Sequence, residues 1–349
     1  MQTSPPRNSR RPYVDHILLI GVDGFVSTPN NSQFQLKNLP FLKQLMTNGT
    51  STEKCRSIYP TESYPNWGAL LHSAPAEITG IDSNSYFPHN PSVIGTEGIG
   101  GRPPTLFGVV SEYFKSNVPK DHKLVLGATF TWKGIGEILK DENLDWKIKC
   151  KDDATTVKCA LEQLNKFLQP SIKRYKPSTS VQMVHLDDVD NTGHLFGWGK
   201  KYWNACKVAD FQIQQLIDGY RRMAFTMEEI LTPLILCCPE IVSKNFILPE
   251  TSAVSILDIT PTVLFALGLS QPIQMKGRPI IEAFGLFNSF NGYFDSVWRF
   301  VHPKGVDHNI VKKFSMKRNI QNLYIYISFA LGLFGGILFS LIARYIFYF

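Results

Sequence analysis

Residues 16–25 read HILLIGVDGF, a nearly continuous run of apolar side chains that ends in an Asp-Gly pair. Runs of this kind, without regular polar alternation, are typical of strands that are buried on both faces of a parallel sheet. Asp23 would then stand at the carboxyl end of the strand, which is the edge where open α/β sheets bind ligands. Taken by itself, Asp23 is interpreted equally well as a turn aspartate.

The segments after this strand alternate between helix-like and strand-like patterns. Further strands are predicted at 54–58, 124–128, 180–187 and 234–238. Helices are predicted at 40–46, 105–114, 135–140, 154–167, 202–220 and 258–269. This alternation predicts a doubly wound α/β domain with a mainly parallel sheet, over residues 14–284.

A second informative segment is 58–68, IYPTESYPNWG, in which a turn-rich stretch leads into a helix start. Pro65 suits a first helical turn, so Ser63 is expected at a helix N-terminus, where an anion is favoured. Asn66 follows on the same turn and could donate its amide to that anion. A hydroxyl nucleophile beside an amide donor suits attack on a phosphate ester. The alternative interpretation of Ser63 is a simple N-cap.

Residues 187–194 read DDVDNTGH and follow the predicted strand 180–187. Asp190 and His194 stand four positions apart on what we expect to be a loop at a strand end, which makes a metal half-site. Gly193 would let the backbone turn back towards the ion. The alternative is a polar loop whose acidic side chains face solvent.

Composition is that of an ordinary folded chain: 349 residues, 44% hydrophobic and 19% charged. Wholesale disorder is therefore excluded, and the length suffices for one large α/β domain with an appendage. Most of the net charge of +7 lies in 299–318, where six cations stand against one aspartate. No nucleic-acid-binding motif is present, and the six cysteines form no CxxC pair that would indicate a zinc knuckle.

The C-terminal segment 323–343 contains 21 residues without a charge, enough to span a bilayer. Tyrosines flank both of its ends, as at membrane interfaces. Gly332 and Gly336 form a GxxxG pair that could support weak pairing of transmembrane helices. We therefore expect a single-pass membrane protein with a C-terminal anchor. Its predicted parts are a disordered basic N-terminus (1–13), the folded domain (14–284), a basic juxtamembrane linker (285–322), a transmembrane helix (323–343) and a short tail (344–349).

Taken in order, these motifs resemble the type I phosphodiesterase/nucleotide pyrophosphatase family of the alkaline phosphatase superfamily. The resemblance covers about 14–284 and depends most on the Ser-x-Pro-Asn turn at 63–66 and the Asp-x-x-Gly-His element at 190–194. Weaker matches are the Asp-Gly pair, residues 258–262 and Gly-Arg-Pro at 277–279. The resemblance implies an α/β domain of the alkaline phosphatase type and a hydrolase for phosphodiester or nucleotide substrates.

The resemblance also implies a site with two zinc ions (Zn²⁺). Asp23 and Ser63 would belong to one ion, and Asp190 and His194 to the other. Ser63 would be the nucleophile, and Asn66 would help to bind the phosphate oxygens. Two ions would clamp the attacking and leaving oxygens of an in-line displacement.

The chain departs from the family pattern after residue 222. Family members continue through a buried strand into Asp-His-Gly and Gly-x-His-Gly elements, which supply an Asp and a His to the first metal and a His to the second. This chain passes from Met223 directly to AFTMEE at 224–229, and His194 is its one histidine in a matching position. Two interpretations stay open: a deletion that leaves a catalytically impaired binding or scaffold protein, or a sequence that lacks a segment of an active enzyme.

Two further alternatives concern the membrane. The cations upstream of 323–343 favour a cytosolic domain by the positive-inside rule, whereas domains of this family usually face the lumen or the exterior. A phosphoethanolamine-type transferase of the same superfamily is a third functional candidate, but those proteins usually carry several membrane spans, and one is predicted here.

Overall fold

The computed structural model describes residues 14–25, 35–85, 103–117, 121–173, 178–222, 235–236, 246–248, 254–272 and 274–284. All of these belong to one compact unit, Ser9–Val301. The predicted N-terminal segment, linker, transmembrane helix with Gly332 and Gly336, and tail lie outside the described residues and stay predictions. Within the described part of the chain, no helix is both long enough and apolar enough to cross a membrane.

Strands and helices alternate along the described chain. The strands are β1 (His16–Val22), β2 (Thr50–Ser51), β3 (Lys123–Phe130), β4 (Trp146–Lys149), β5 (Ser178–Leu186), β6 (Ile235–Leu236) and β7 (Phe246–Ile247). The helices are α1 (Pro40–Asn48), α2 (Ser63–His72), α3 (Ala76–Thr79), α4 (Leu106–Asn117), α5 (Lys133–Ile138), α6 (Asp153–Lys173), α7 (Asp188–Phe196), α8 (Lys200–Arg222) and α9 (Ile259–Ala266).

The main sheet is parallel and has the strand order β1-β5-β3-β4. A smaller sheet has the order β6-β2-β7. In the main sheet Val22 pairs with Leu186, so the residues that follow β1 and β5 emerge side by side at the carboxyl edge. The α/β fold with a mainly parallel sheet is therefore confirmed.

Both faces of the main sheet are covered by helices, which explains why β1 is apolar on both sides. Because side chains alternate along a strand, Ile17 and Leu19 pack into one core, and Leu18 and Ile20 pack into the other. The first core is shared with α2, α4, α5 and α9, and the second with α1, α6 and α8. This double covering leaves the carboxyl edge of the sheet as the place for a site.

Two predicted segments have a different structure. The strand predicted at 54–58 is not formed, apart from an isolated bridge between Arg56 and Ser255. The amide of Ile58 instead donates to the side chain of Asn66, which takes this backbone out of any ladder. The strand predicted at 234–238 is described only at residues 235–236, where it pairs antiparallel with β2 in the smaller sheet.

The prediction of a loop at 187–194 is wrong, because residues 188–194 form most of helix α7. Asp188 and Asp190 lie in its first turn, where acidic side chains favour the helix dipole. The buried carboxylate of Asp153 accepts hydrogen bonds from the backbone amides of Asp187 and Asp188, at 2.8 and 3.0 Å. These two bonds fix the start of the helix. Strand β4 was not predicted because it is short and only half-buried.

Candidate active site

Asp23 leaves β1 in a tight turn that requires a glycine next to it. Gly24 has a φ of +64°, and a Cβ at this position would lie 2.5 Å from the Cα of Asp190. The Gly24 amide donates to Asp23 Oδ1 at 2.9 Å, and the Gly24 carbonyl accepts from the hydroxyl of Tyr202 at 2.8 Å. The end of β1 is thereby pressed against helix α7.

The carboxylate of Asp23 is contacted by three other side chains of the site. Its Oδ1 accepts from the hydroxyl of Ser63 at 3.4 Å, and its Oδ2 accepts from the indole Nε1 of Trp67 at 2.9 Å. The Nε2 atom of His185 lies 3.5 Å from the same Oδ2. Burial acts to raise the pKa of Asp23, but the contact with His185 and the hydrogen bonds from Trp67 and Gly24 outweigh burial and lower it.

Ser63 is the first residue of α2, as the sequence predicts. The residue at the N-cap position is Glu62, and its side chain makes no capping hydrogen bond. The Ser63 hydroxyl points to Asp23 instead of capping its own helix. Ser63 and Asp23, which the resemblance assigns to one metal, are thus brought together by the fold.

Asn66 is committed to the turn that precedes Ser63. Its Oδ1 accepts from the amide of Ile58 at 2.9 Å. Its Nδ2 donates to the carbonyls of Pro60 at 3.0 Å and Glu62 at 2.8 Å. In this arrangement the side-chain amide of Asn66 rigidifies the 58–62 turn. That Asn66 helps to bind the phosphate oxygens stays a prediction.

Asp190 and His194 lie one turn apart on α7, and His194 Nε2 is 3.4 Å from Asp190 Oδ2. The side chain of His194 is 81% exposed, whereas that of Asp190 is 25% exposed. Burial and the charge of Asp23 raise the pKa of Asp190. The second predicted pair is therefore also formed, at the outer side of the site.

Sequence reasoning missed His185 and Asp187, which come from the end of β5. Asp23, His185 and Asp187 each offer one possible metal-ligand atom, and these three atoms lie within 4.8 Å of one another. Burial, opposed by His185, raises the pKa of Asp187 to about 6, and Asp23 adds to that rise. The signal in the sequence was His-x-Asp at a strand end, a spacing that puts both side chains on one side of the strand.

These residues fit a divalent cation. Both ring nitrogens of the fully buried His185 lack a hydrogen-bond partner in the described part of the chain, and Nε2 lies 3.5 Å from the carboxylate of Asp23. Imidazole nitrogen together with carboxylate oxygen is a ligand set that suits zinc and similar ions.

The α/β architecture is shared with solved structures of other proteins. A 2-O GAG sulfatase structure aligns with a TM-score of 0.56 at 12% identity, over 79% of this chain and 75% of that chain. Murine ectonucleotide pyrophosphatase/phosphodiesterase 5 in complex with AMP aligns with a TM-score of 0.41 at 16% identity, over 60% of this chain and 53% of that chain.

The family follows from the sequence match. The model of the type I phosphodiesterase/nucleotide pyrophosphatase family matches residues 17–228, and this chain belongs to that family. Venom phosphodiesterase from Naja atra is 23% identical over 209 residues, which are 59% of this chain and 24% of that protein. The chain thus spans about a quarter of the length of this curated relative.

Proposed function

We propose that this chain is a metal-dependent hydrolase of phosphodiester or nucleotide pyrophosphate bonds, with Ser63 as its nucleophile. The observation that carries the proposal is the contact of 3.4 Å between the Ser63 hydroxyl and Asp23 at the carboxyl edge of the sheet. A serine that is freed from helix capping and directed to a buried carboxylate is suited to nucleophilic work.

The chain's own residues would act as follows. Asp23 Oδ1 accepts the Ser63 hydrogen bond and so orients the hydroxyl. A bond would form between Ser63 Oγ and phosphorus as the bond to the leaving oxygen breaks; the Ser63 proton would pass to Asp23 Oδ1 and on to solvent, and the leaving oxygen would take a proton from water. A water molecule would then attack phosphorus, break the bond to Ser63 Oγ and leave the serine protonated. Asn66 keeps the turn before Ser63 rigid, so that the hydroxyl is held in place.

By family resemblance, Asp23 and Ser63 would hold one ion, and Asp190 and His194 would hold the other. Bound ions of the zinc type would supply Lewis-acid polarisation of the phosphate oxygens. The 3.4 Å approach of His194 to Asp190 supports the outer pair.

A catalytically impaired binding protein is the second candidate. Its support is the chain's lack of the Asp-His-Gly and Gly-x-His-Gly elements after residue 222. The engagement of the Asn66 amide by backbone carbonyls also favours it, because that amide would have to leave them to contact a phosphate. Such a protein would bind phosphodiester ligands without turning them over.

We also propose that residues 323–343 anchor the chain to a membrane. The test is alkaline carbonate extraction of membranes from cells that express the full chain. The full chain should stay in the pellet, and a variant that ends at residue 322 should be released.

The function is tested with the purified full chain in detergent and Zn²⁺, using bis(p-nitrophenyl) phosphate as substrate. Ser63→Ala should lower the hydrolysis rate at least about a hundredfold, because the nucleophile is removed. Ser85→Ala, at an exposed serine of the loop whose Asn84 accepts from the amide of Tyr64, is the matched control and should keep the rate. Equal rates for wild type and Ser63→Ala would refute the proposal, and nucleotide binding without turnover would support the second candidate.

A further inference from the structure

The imidazole of His185 is an unusual feature of the sheet's carboxyl edge. It is fully buried, and neither Nδ1 nor Nε2 has a hydrogen-bond partner among the described residues. A buried polar group without a partner costs about 1–3 kcal/mol, so such groups are rare in folded proteins. The arrangement therefore points to a ligand at this ring.

Aromatic side chains pack against the His185 ring, and its Nε2 atom lies next to Asp23. Trp67 makes an edge contact with the ring at a centroid distance of 4.8 Å, and Trp132 lies at 6.3 Å. The Nε2 atom of the ring lies 3.5 Å from Asp23 Oδ2. The apolar packing holds the ring, and the adjacent polar atoms are carboxylate oxygens.

The spacing between His185 and Asp23 is at the long limit of a hydrogen bond, and it matches the separation of two ligands of one ion. N–H···O hydrogen bonds measure about 2.7–3.2 Å, which is shorter than the 3.5 Å observed here. In a tetrahedral zinc site with bonds of about 2.0–2.2 Å, two ligand atoms lie about 3.4 Å apart. His185 and Asp23 are thus already separated by the distance that a common ion requires.

The two carboxylates are held in the way that metal-binding carboxylates usually are. Trp67 Nε1 donates to Asp23 Oδ2 at 2.9 Å, and Asn191 Nδ2 donates to Asp187 Oδ2 at 2.8 Å. The backbone of Asp187 is fixed in turn by Asp153. These contacts orient the carboxylates independently of any ion.

We propose that Asp23, His185 and Asp187 together bind one divalent cation of the zinc type. Strand β5 would thereby supply ligands in place of those that the family takes from the segment after residue 222. Three protein ligands of this kind leave an open coordination position, as in catalytic zinc sites. The inference rests on the proposed function only in sharing Asp23, because cation binding does not require turnover.

The test is metal binding by the full chain after its metal has been removed with a chelator. Zn²⁺ binding is measured by calorimetry, and Co²⁺ is used as a probe because its visible absorption reports nitrogen ligation. His185→Gln and Asp187→Asn should each weaken binding of the tight ion at least about a hundredfold and change the Co²⁺ spectrum. His122→Gln, a histidine at the opposite edge of the sheet, is the matched control and should bind as wild type does.

Thermal melts without metal show whether each variant is folded. If His185→Gln does not fold, the nearly isosteric Asp187→Asn still decides. Wild-type affinity in a folded His185→Gln or Asp187→Asn, or the absence of micromolar Zn²⁺ binding in wild type, would overturn the inference.

Two comparisons separate this inference from the proposed function. His194→Gln should keep the tight ion, since the outer pair is a different place; loss of that ion in His194→Gln but not in His185→Gln would overturn the inference. Tight Zn²⁺ binding that depends on His185, in a chain whose hydrolysis is unaffected by Ser63→Ala, would refute the proposed nucleophile and leave the cation site standing.

Discussion

Histidines lie at both ends of the main sheet, but their hydrogen bonding differs between the two ends. At the amino end, His16 Nδ1 lies 2.9 Å from the hydroxyl of Ser180, and His122 Nε2 lies 3.0 Å from that of Thr179. At the carboxyl end, His185 has no hydrogen-bond partner among the described residues and lies beside carboxylates. Strand β5 contributes to both ends, because Thr179 and Ser180 lie near its start and His185 lies near its end.

We interpret this difference as one between a structural edge and the edge that carries the proposed site. Buried polar groups that serve the fold are paired within the chain, as at the amino end. At the carboxyl end burial, and to a lesser extent the charge of Asp23, raises the pKa of Asp187 and of Asp190. Groups whose pKa is perturbed in this way cluster at functional sites.

The largest effect is expected at Asp153, a carboxylate behind the site that is fully paired. It accepts from the Thr131 hydroxyl at 2.6 Å and from the amides of Asp187 and Asp188. Asp153→Ala leaves these donors buried without a partner and should lower the free energy of unfolding by about 4 kcal/mol.

Urea denaturation at neutral pH measures that loss. Asp152→Ala is the control: the side chain of this neighbouring aspartate is 39% exposed and accepts from the amide of Thr155, so its removal should cost much less. Similar losses for both variants would mean that Asp153 does not hold the start of α7, and that the carboxyl edge is organised by other contacts.

The next effect is at the amino end and appears as a pH dependence. Burial, and after it the neighbouring His122, lowers the pKa of His16 from 6.5 to about 4. The unfolded chain therefore binds a proton that the folded chain excludes between these values. Stability should fall as the pH falls from 6.5 to 4, by up to about 3 kcal/mol.

His16→Gln can keep a hydrogen bond to Ser180 and should remove this part of the pH dependence. The raised pKa of Asp15 acts in the opposite direction, but it is present in both proteins and largely cancels in their difference. Denaturation curves at several pH values provide the measurement. Parallel pH profiles for wild type and His16→Gln would show that His16 is not kept neutral by the fold.

The sequence predicted the parts of this comparison that depend on local pattern. The apolar run of β1 places Asp23, and the turn before α2 places Ser63, because strand and helix signals are encoded in adjacent residues. The outer pair Asp190 and His194 was also predicted, although on a loop and not on a helix.

What could not be predicted depends on contacts between distant parts of the chain. Helix α7 has the polar composition of a loop, and its start is fixed by Asp153 from α6. His185 lies inside an apolar strand, where it was interpreted as one more buried strand residue. Its significance appears only when parallel pairing brings the end of β5 beside β1.

The smallest effect tests how tightly the carboxyl edge is packed, and it uses two glycines with nearly the same φ. Gly24 has φ +64° and Gly197 has φ +66° with ψ −173°, so alanine is strained at both positions, by about 1–3 kcal/mol. At Gly24 the added Cβ would meet Asp190 Cα at 2.5 Å, whereas at Gly197 nothing lies within 4 Å.

Gly24→Ala should cost about 2 kcal/mol from backbone strain together with the clash against Asp190, and Gly197→Ala should cost its backbone strain alone, as measured by urea denaturation. Gly24→Ala should also weaken Zn²⁺ binding in calorimetry, since it pushes α7 away from the end of β1, while Gly197→Ala should not. If both variants keep wild-type affinity, α7 moves away without effect on the site. The approach of Asp190 to Asp23 would then not be fixed by packing, and the contrast between the two edges of the sheet would depend on His185 and Asp187 alone.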